Sequence, residues 1–252
     1  MAALFISDAH FGTGEQDVER EQEFATFLRK IDPEYVRQVF FLGDLFDFWF
    51  EYRHVIFSGY FDILRAFADL ADAGISLDLV CGNHDFWAGR FLEDQLGFRV
   101  HQKTLEAKFG NQKVMMFHGD GLNTGDWGYR IYRRIARARP VIAAFRAIHP
   151  DWAMSLAKRV SKSSRRLTMP DNPETGPEAK ALREHARDLL ANGVADVVIC
   201  GHAHHPVYEE HPTPSGTGLY INTGDWLNHR SYVVWDGARF ELRDATRSGP
   251  GV

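Results

Sequence analysis

Five short motifs along this 252-residue chain carry aspartate, asparagine and histidine side chains, which are common metal ligands. The motifs are Asp8-Ala9-His10, Gly43-Asp44-Leu45-Phe46-Asp47, Gly82-Asn83-His84-Asp85, His118-Gly119-Asp120 and Gly201-His202-Ala203-His204. Each follows a short apolar run with the composition of a β-strand. Because α/β sheets gather their sites beyond the carboxyl ends of strands, the motifs predict one site that holds two metal ions.

Such a site suits the hydrolysis of phosphate esters and anhydrides. The substrate is anionic at neutral pH and repels hydroxide, so the reaction needs positive charge on the phosphoryl oxygens and a strong nucleophile. Two divalent ions about 4 Å apart supply both, since they clamp the phosphoryl group and lower the pKa of bound water to about 7. Carboxylate and imidazole ligands without cysteine predict two divalent ions, with manganese favoured and iron or zinc as alternatives.

The apolar runs predict the scaffold that would position these motifs. Residues rich in β-branched and aromatic types predict strands at Ala3-Ser7, Val39-Leu42, Leu77-Cys81, Leu105-Phe109, Lys113-Phe117, Val197-Cys200, Leu219-Asn222, Tyr232-Trp235 and Arg239-Leu242. Helical periodicity predicts helices at 18–31, 60–73 and 177–191. Strands alternate with helices early in the chain and follow one another at its end, which predicts an α/β fold with sheets of mixed direction covered by helices.

The overall composition is that of a globular protein, with 44% hydrophobic and 25% charged residues. The first residues lack a basic region, and their apolar run is too short for a signal peptide or a membrane span, so we expect a cytoplasmic location. Cys81 and Cys200 each end an apolar run, which predicts reduced, buried strand residues. The sequence predicts no particular oligomeric state.

A basic segment interrupts the strand pattern in the second half of the chain. Residues 129–166 contain eleven Lys and Arg against the single Asp151, a net charge of +10 in a chain whose total is −5. We interpret residues 126–164 as a helical cap inserted into a domain formed by residues 1–125 and 165–252. Its charge favours an anionic partner such as a phosphate, a nucleic acid or an acidic membrane surface.

The five motifs resemble those of the calcineurin-like metallophosphoesterase superfamily, and the resemblance runs from Ala3 to Leu242. It implies a four-layer α/β/β/α sandwich of two mixed sheets with a dinuclear site at one edge. By motif position it implies that the first metal is held by Asp8, His10 and His204, the second by Asn83, His118 and His202, and both by a bridging Asp44. It also implies that His84 contacts the scissile phosphate and protonates the leaving group, with Asp47 or Asp85 orienting its ring.

A closer resemblance is to the bacterial UDP-2,3-diacylglucosamine pyrophosphohydrolases of lipid A synthesis. It is carried by residues 43–49, 82–86 and 118–122 and by the inserted helices that follow. The best-known branch of that family has arginine where this chain has His84, and a histidine-bearing branch is more similar. The resemblance implies cleavage to UMP and 2,3-diacylglucosamine 1-phosphate at the cytoplasmic face of the anionic inner membrane. The implied substrate contacts are Asn83, His84, Asp126, Tyr129, Lys162 and Arg165.

Apolar and basic residues of the cap fit such a lipid substrate. Side chains including Ile131, Ile135, Phe145, Trp152 and Met154 can line a lipid groove, while its arginines face anionic headgroups. The alternative is that these apolar residues simply pack against the main domain.

Two other functions are compatible with parts of the sequence. A phosphodiesterase or phosphatase for nucleotides, nucleic acid or phosphoprotein would use aromatics such as Tyr129, Tyr132 and Trp152 for stacking. Their apolar neighbours favour lipid, so no nucleic-acid partner is expected. A non-catalytic scaffold would have lost metal ligands, and this chain retains the complete set.

Overall fold

Two β-sheets lie face to face in the computed structural model, which describes residues 1–12, 17–123, 125, 127–157, 159 and 174–250. The first sheet contains β1 (Ala2–Ile6), β2 (Val36–Phe41), β3 (Ser76–Val80), β4 (Phe98–His101), β10 (Ser231–Trp235) and β11 (Phe240–Asp244). The second contains β5 (Leu105–Phe109), β6 (Gln112–Phe117), β7 (Val197–Cys200), β8 (Pro206–Thr213) and β9 (Gly216–Thr223). Their orders are β11-β10-β1-β2-β3-β4 and β5-β6-β7-β9-β8.

Helices cover the outer faces of both sheets. Those packed on the first sheet are α1 (Asp17–Arg29), α2 (Phe61–Asp72), preceded by a 3-10 turn at Ser58–Tyr60, and α3 (Arg90–Leu96). Helix α7 (Pro177–Ala191) covers the second sheet. The described residues of the predicted cap contain α4 (Trp127–Ala136), α5 (Arg139–Arg146) and α6 (150–157). None of the helices in the described part of the chain is both long and apolar enough to cross a bilayer.

Alternation along β1 explains the layers. Leu4 and Ile6 point to the helices on the outer face, whereas Ala3 and Phe5 point to the space between the sheets. There Phe5 stacks on Phe40 of β2 with ring centroids 4.9 Å apart. A third apolar cluster fills the space between the second sheet and α7. The predicted α/β/β/α sandwich of two mixed sheets is therefore confirmed.

Parallel pairing brings the motifs to one edge. Strands β1, β2 and β3 run parallel in the first sheet, and β6, β7 and β9 run parallel in the second. Their carboxyl ends therefore lie at a common edge, where the loops after five of them carry the five motifs. The nine predicted strands are all present, with ends that shift by a few residues, and Cys81 and Cys200 are buried and unpaired as predicted.

Three elements escaped prediction because their local patterns are weak. Strand β8 contains Pro206 and Pro212 and lies at an edge, where proline is tolerated because only one neighbour requires hydrogen bonds. Strand β4 has only four residues, and its Arg99 and His101 bind the buried Asp78 of β3, with Nε–Oδ1 and Nε2–Oδ1 distances of 2.9 and 2.8 Å. Helix α3 has seven residues and ends at Gly97, which is left-handed.

Candidate metal centre

Five of the seven predicted ligands have a left-handed backbone. Their φ angles are 53° at Asp8, 47° at His10, 53° at Asp44, 70° at His202 and 56° at His204. A non-glycine residue in this region costs of order 1–3 kcal/mol and persists only when its surroundings determine it. The loops therefore leave the strands by sharp turns that aim these side chains at one point.

Glycines let the ligand loops approach each other closely. Gly43 has a φ of 88°, and a Cβ there would lie 2.6 Å from Nδ1 of His118. A Cβ on Gly82 would collide with the carboxylate of Asp44. Because no side chain fits at either position, Gly43 lets loops of the two sheets meet, and Gly82 lets two loops of the first sheet meet, around the ligands.

The first cluster contains Asp8, His10 and His204. Nε2 of His10 and Nε2 of His204 lie 3.7 and 3.5 Å from Oδ1 of Asp8, and the two rings stack with centroids 5.0 Å apart. Within the described residues, neither Oδ1 of Asp8 nor Nε2 of His10 has a hydrogen-bond partner, although both atoms are buried. Unpaired buried ligand atoms that converge in this way fit a divalent cation.

The second cluster contains Asp44, His118 and His202. Nε2 of His118 lies 3.3 Å from Oδ2 of Asp44 and 3.2 Å from both Nδ1 of His202 and Oδ1 of Asn83. Oδ2 of Asp44 also lies 3.7 Å from Nε2 of His10 in the first cluster. Asp44 is thus the side chain that faces both clusters, the position that a bridging carboxylate would need.

The charges in the centre stabilise one another. Burial by itself raises the pKa of Asp44, but the imidazoles of His118 and His84 hold that pKa well below its ordinary value. Burial lowers the pKa of His118, yet the Asp44 carboxylate raises it well above the ordinary value. The negative charge of Asp44 attracts cations. Divalent ions bound between the ligands would replace the proton that this charge otherwise favours on the His118 imidazole.

A polar group lies on the outer side of each predicted histidine ligand, and for His118 it forms a hydrogen bond. Nδ1 of His118 donates to the Leu42 carbonyl at 2.8 Å, and Nδ1 of His10 lies 3.8 Å from Oδ1 of Asp47. Such outer partners fix the orientation of ligand imidazoles.

The outer partners of His202 and His204 were not predicted from the sequence. Nε2 of His202 lies 3.5 Å from Oε2 of Glu178, and Nδ1 of His204 lies 3.4 Å from Oδ2 of Asp225. Asp225 follows a glycine near the end of a strand, as Asp44 does, and this signal could have identified it. Glu178, in the first turn of α7, carries no comparable signal.

His84 lies beside the two clusters. Its backbone N–H donates to Oδ1 of Asp44 at 2.9 Å, and its Nδ1 donates to the Asp47 carbonyl at 2.7 Å. Nε2 therefore faces the centre, 3.9 Å from Oδ2 of Asp44. Burial lowers the pKa of the His84 imidazole to about 4. The His84 ring also forms a third group, with His10 and Asp44, that could hold a metal ion.

The two carboxylates expected to orient His84 differ in position. Asp47 contacts its ring through the backbone carbonyl, and its carboxylate Oδ1 lies 3.7 Å from Nδ1. Asp85 accepts hydrogen bonds from the backbone N–H groups of Gly82 and Leu45 at 2.7 and 2.9 Å. The Asp85 carboxylate thus joins two ligand loops, and Asp47 is the residue in contact with the His84 ring.

Of the other predicted substrate contacts, Tyr129 lies on α4 and donates to Oδ2 of Asp120 at 2.7 Å. Asp126, Lys162 and Arg165 fall outside the described residues. His205 lies next to His229, with ring centroids 5.8 Å apart. Of the neighbours His204 and His205, it is His204 that contacts Asp8.

The cap packs partly on the main domain and partly faces solvent. Phe145 of α5 contacts the rings of Phe48, Phe50 and Trp87, at centroid distances of 5.5, 4.9 and 5.2 Å. Ile131, Ile135 and Trp152 are instead more than half exposed. Phe145 therefore packs against the main domain, as in the alternative interpretation, and a lipid groove stays a prediction for the exposed residues.

Replacing Asp44 should remove metal from both clusters. Asp44→Asn keeps a residue that tolerates a left-handed backbone but removes the charge shared by the two clusters. We expect the protein to bind less than one manganese ion per chain, as measured by inductively coupled plasma mass spectrometry. Asp69→Asn, on the surface of α2, is the control and should bind as the unmodified chain does; two ions retained by Asp44→Asn would contradict the shared role.

Comparisons with known proteins identify the family of the chain. The family model for calcineurin-like phosphoesterases matches residues 1–206. A UDP-2,3-diacylglucosamine hydrolase of Porphyromonas gingivalis is 31% identical over 94% of this chain and 95% of its own length, and one of Chromohalobacter salexigens is 31% identical over 93% and 92%. A solved structure of vacuolar protein sorting 29 from Cryptosporidium parvum matches with a TM-score of 0.44 and 13% identity over 96% of this chain and 95% of its own. The chain belongs to the calcineurin-like phosphoesterase family, whose members are metal-dependent hydrolases.

Proposed function

We propose that the protein hydrolyses the pyrophosphate of UDP-2,3-diacylglucosamine to UMP and 2,3-diacylglucosamine 1-phosphate. The observation that carries the proposal is the pair of ligand clusters joined at Asp44 beside a cap with apolar side chains. A phosphate anhydride with acyl chains needs both parts. The relatives named as hydrolases of this compound, which match nearly the whole chain, support the same substrate.

The ligand set fits two divalent ions, and we propose manganese, with iron or zinc as alternatives, for this mixture of imidazole and carboxylate. We assign the first ion to Asp8, His10 and His204, the second to Asn83, His118 and His202, and the bridge to Asp44. When bound, the two ions supply positive charge to the phosphoryl oxygens and activate the attacking water.

The remaining chemistry belongs to His84. The Asp47 carbonyl fixes the proton of this imidazole on Nδ1, so Nε2 is directed at the centre, where the scissile phosphate would lie. A phosphate anion beside Nε2 favours its protonation, and the proton can then pass to the departing oxygen. His84 thus binds the phosphate and completes the bond cleavage.

The contact between cap and core suits the acyl chains. Phe48 and Trp87 extend from the same loops as Asp44 and His84, and they meet Phe145 of the cap in an aromatic cluster. Acyl chains that lie along the partly exposed surface of these rings would contact apolar side chains while the pyrophosphate reaches the ligands. Asp126, Tyr129, Lys162 and Arg165 complete the proposed substrate contacts.

The purified protein should release UMP from UDP-2,3-diacylglucosamine when manganese is present. Chelation with EDTA should abolish this turnover, and added manganese should restore it, because the ligands alone supply no strong nucleophile. Chromatographic detection of UMP measures the rate. Faster turnover of a cyclic nucleotide or of single-stranded DNA would contradict the proposed substrate, and a chain that binds no divalent ion would instead be a scaffold.

His84→Gln should slow UMP release by roughly two to four decades, the contribution of a general acid. Both metal ions should remain bound, because the proposed ligand set does not include this ring. Rate and metal content are measured on the same preparation, with the exposed His54→Gln as control. Loss of one ion would make His84 a ligand.

We also propose that the cap binds the anionic cytoplasmic face of the inner membrane. Trp127, Ile131 and Ile135 recur along α4 and are 69%, 57% and 54% exposed, and Trp152 of α6 is 74% exposed. Arg130 and Arg134, also exposed, lie on the same helix. Apolar and basic side chains together are the features that hold a helix at an anionic lipid surface.

A Trp127→Ala, Trp152→Ala double variant should bind anionic vesicles several-fold more weakly than the unmodified chain. Each substitution removes an indole that would enter the headgroup region. Co-sedimentation with phosphatidylglycerol vesicles measures the binding, which should also weaken at high salt. Tyr35→Ala, an exposed aromatic before β2, is the control; equal binding by all three proteins would contradict the proposed surface.

A further inference from the structure

The end of β9 and the loop after it, residues 223–229, lie against the first ligand cluster although none of the five motifs includes them. The backbone N–H of Trp226 in this loop donates to the Asp8 carbonyl at 3.1 Å. The hydroxyl of Thr223 lies 2.6 Å from that of Ser7, which in turn donates to the Gly224 carbonyl at 3.3 Å. The loop is therefore fixed to the segment that carries Asp8.

Asp225 is held rigidly within this loop. Its carboxylate is completely buried. Oδ1 accepts hydrogen bonds from the backbone N–H groups of Asn228 and His229 at 2.9 and 3.0 Å, and Nδ2 of Asn228 donates to Oδ2 at 3.2 Å. These donors fix the plane of the carboxylate and direct Oδ2 toward the metal ligand His204.

His204 lies between two carboxylates. Its Nδ1 is 3.4 Å from Oδ2 of Asp225, and its Nε2 is 3.5 Å from Oδ1 of Asp8. A negative charge beside Nδ1 keeps the ring proton on that nitrogen, so the lone pair of Nε2 is directed at the first cluster. The arrangement is that of a carboxylate that orients an imidazole ligand from behind.

We infer that Asp225 is a positioning residue for His204 and sets the affinity of the ion held by Asp8, His10 and His204. The inference rests on the ligand assignment in the proposed function but not on the identity of the substrate. The second cluster has separate outer partners, the Leu42 carbonyl and Glu178. The effect of Asp225 is therefore confined to one of the two ions.

Titration of the metal-free protein with manganese, followed by calorimetry, tests this inference without any substrate. Asp225→Asn keeps an oxygen for the backbone N–H groups of the turn but removes the charge beside His204. We expect one ion to bind as before and the other to bind roughly 10–100-fold more weakly. Asp225→Glu, which keeps the charge, should recover part of the affinity.

Asp236→Asn is the matched control. Asp236 likewise accepts backbone hydrogen bonds within a turn, from Ala238 and Arg239 at 2.7 and 2.9 Å. The Asp236→Asn variant should therefore bind both ions as the unmodified chain does. Unchanged affinities in Asp225→Asn would overturn the inference, as would equal weakening of both ions. UDP-2,3-diacylglucosamine turnover plays no part in these readouts, so failure of the proposed substrate remains a separate result.

A double-mutant cycle identifies the path of the effect. If Asp225 acts through His204, then Asp225→Asn should add no further weakening to His204→Ala. The same fold-change in both backgrounds would overturn the inference. If Asp225→Asn does not fold, Asn228→Ala removes a donor to the oxygen that faces His204; it should weaken the same single ion, and an unchanged affinity would overturn the inference.

Discussion

The carboxylate of Asp44 joins the two halves of the molecule. It is buried where the edges of the two sheets meet, and it faces His10 from the first sheet and His118 from the second. A buried carboxylate without partners costs several kcal/mol, so this charge is stable only while ligand loops from both sheets surround it. The fold therefore determines the geometry of the site, because the packing between the sheets sets the distance between the clusters.

The backbone conformation of the ligand residues follows from the need to bring loops of both sheets around the Asp44 carboxylate. Parallel strands deliver their loops to a common edge, but extended strands alone would direct the side chains outward. The left-handed residues Asp8, Asp44 and His204 turn the chain shortly after the strand ends and bring the ligand atoms together. Their combined strain, of order 1–3 kcal/mol for each residue, is compensated by the sheets in the free protein and by ligand bonds when ions are bound.

The sequence predicted the strands that alternate strongly and the motifs that follow them, because both are local patterns. Leu4 and Phe5 point to opposite faces of β1, and that alternation can be read from the chain. Strand β8, with its prolines, depends on pairing with β9, which no local pattern encodes. Asp225 and Glu178 were missed for a related reason, since each acts on a histidine from another element and only the folded chain brings them together.

The cap is attached to the loops that surround the Asp44 carboxylate. Asp120 follows the predicted ligand His118 by two residues and accepts a hydrogen bond from Tyr129, while Nε of Arg133 lies 3.1 Å from its Oδ2. Trp87, three residues after His84, donates to the Ala136 carbonyl at 3.2 Å. Helix α4 is thus held by the loops that carry His118 and His84. Because these loops also contact the Asp44 carboxylate, the cap is attached to the same loops that set the spacing of the ligands.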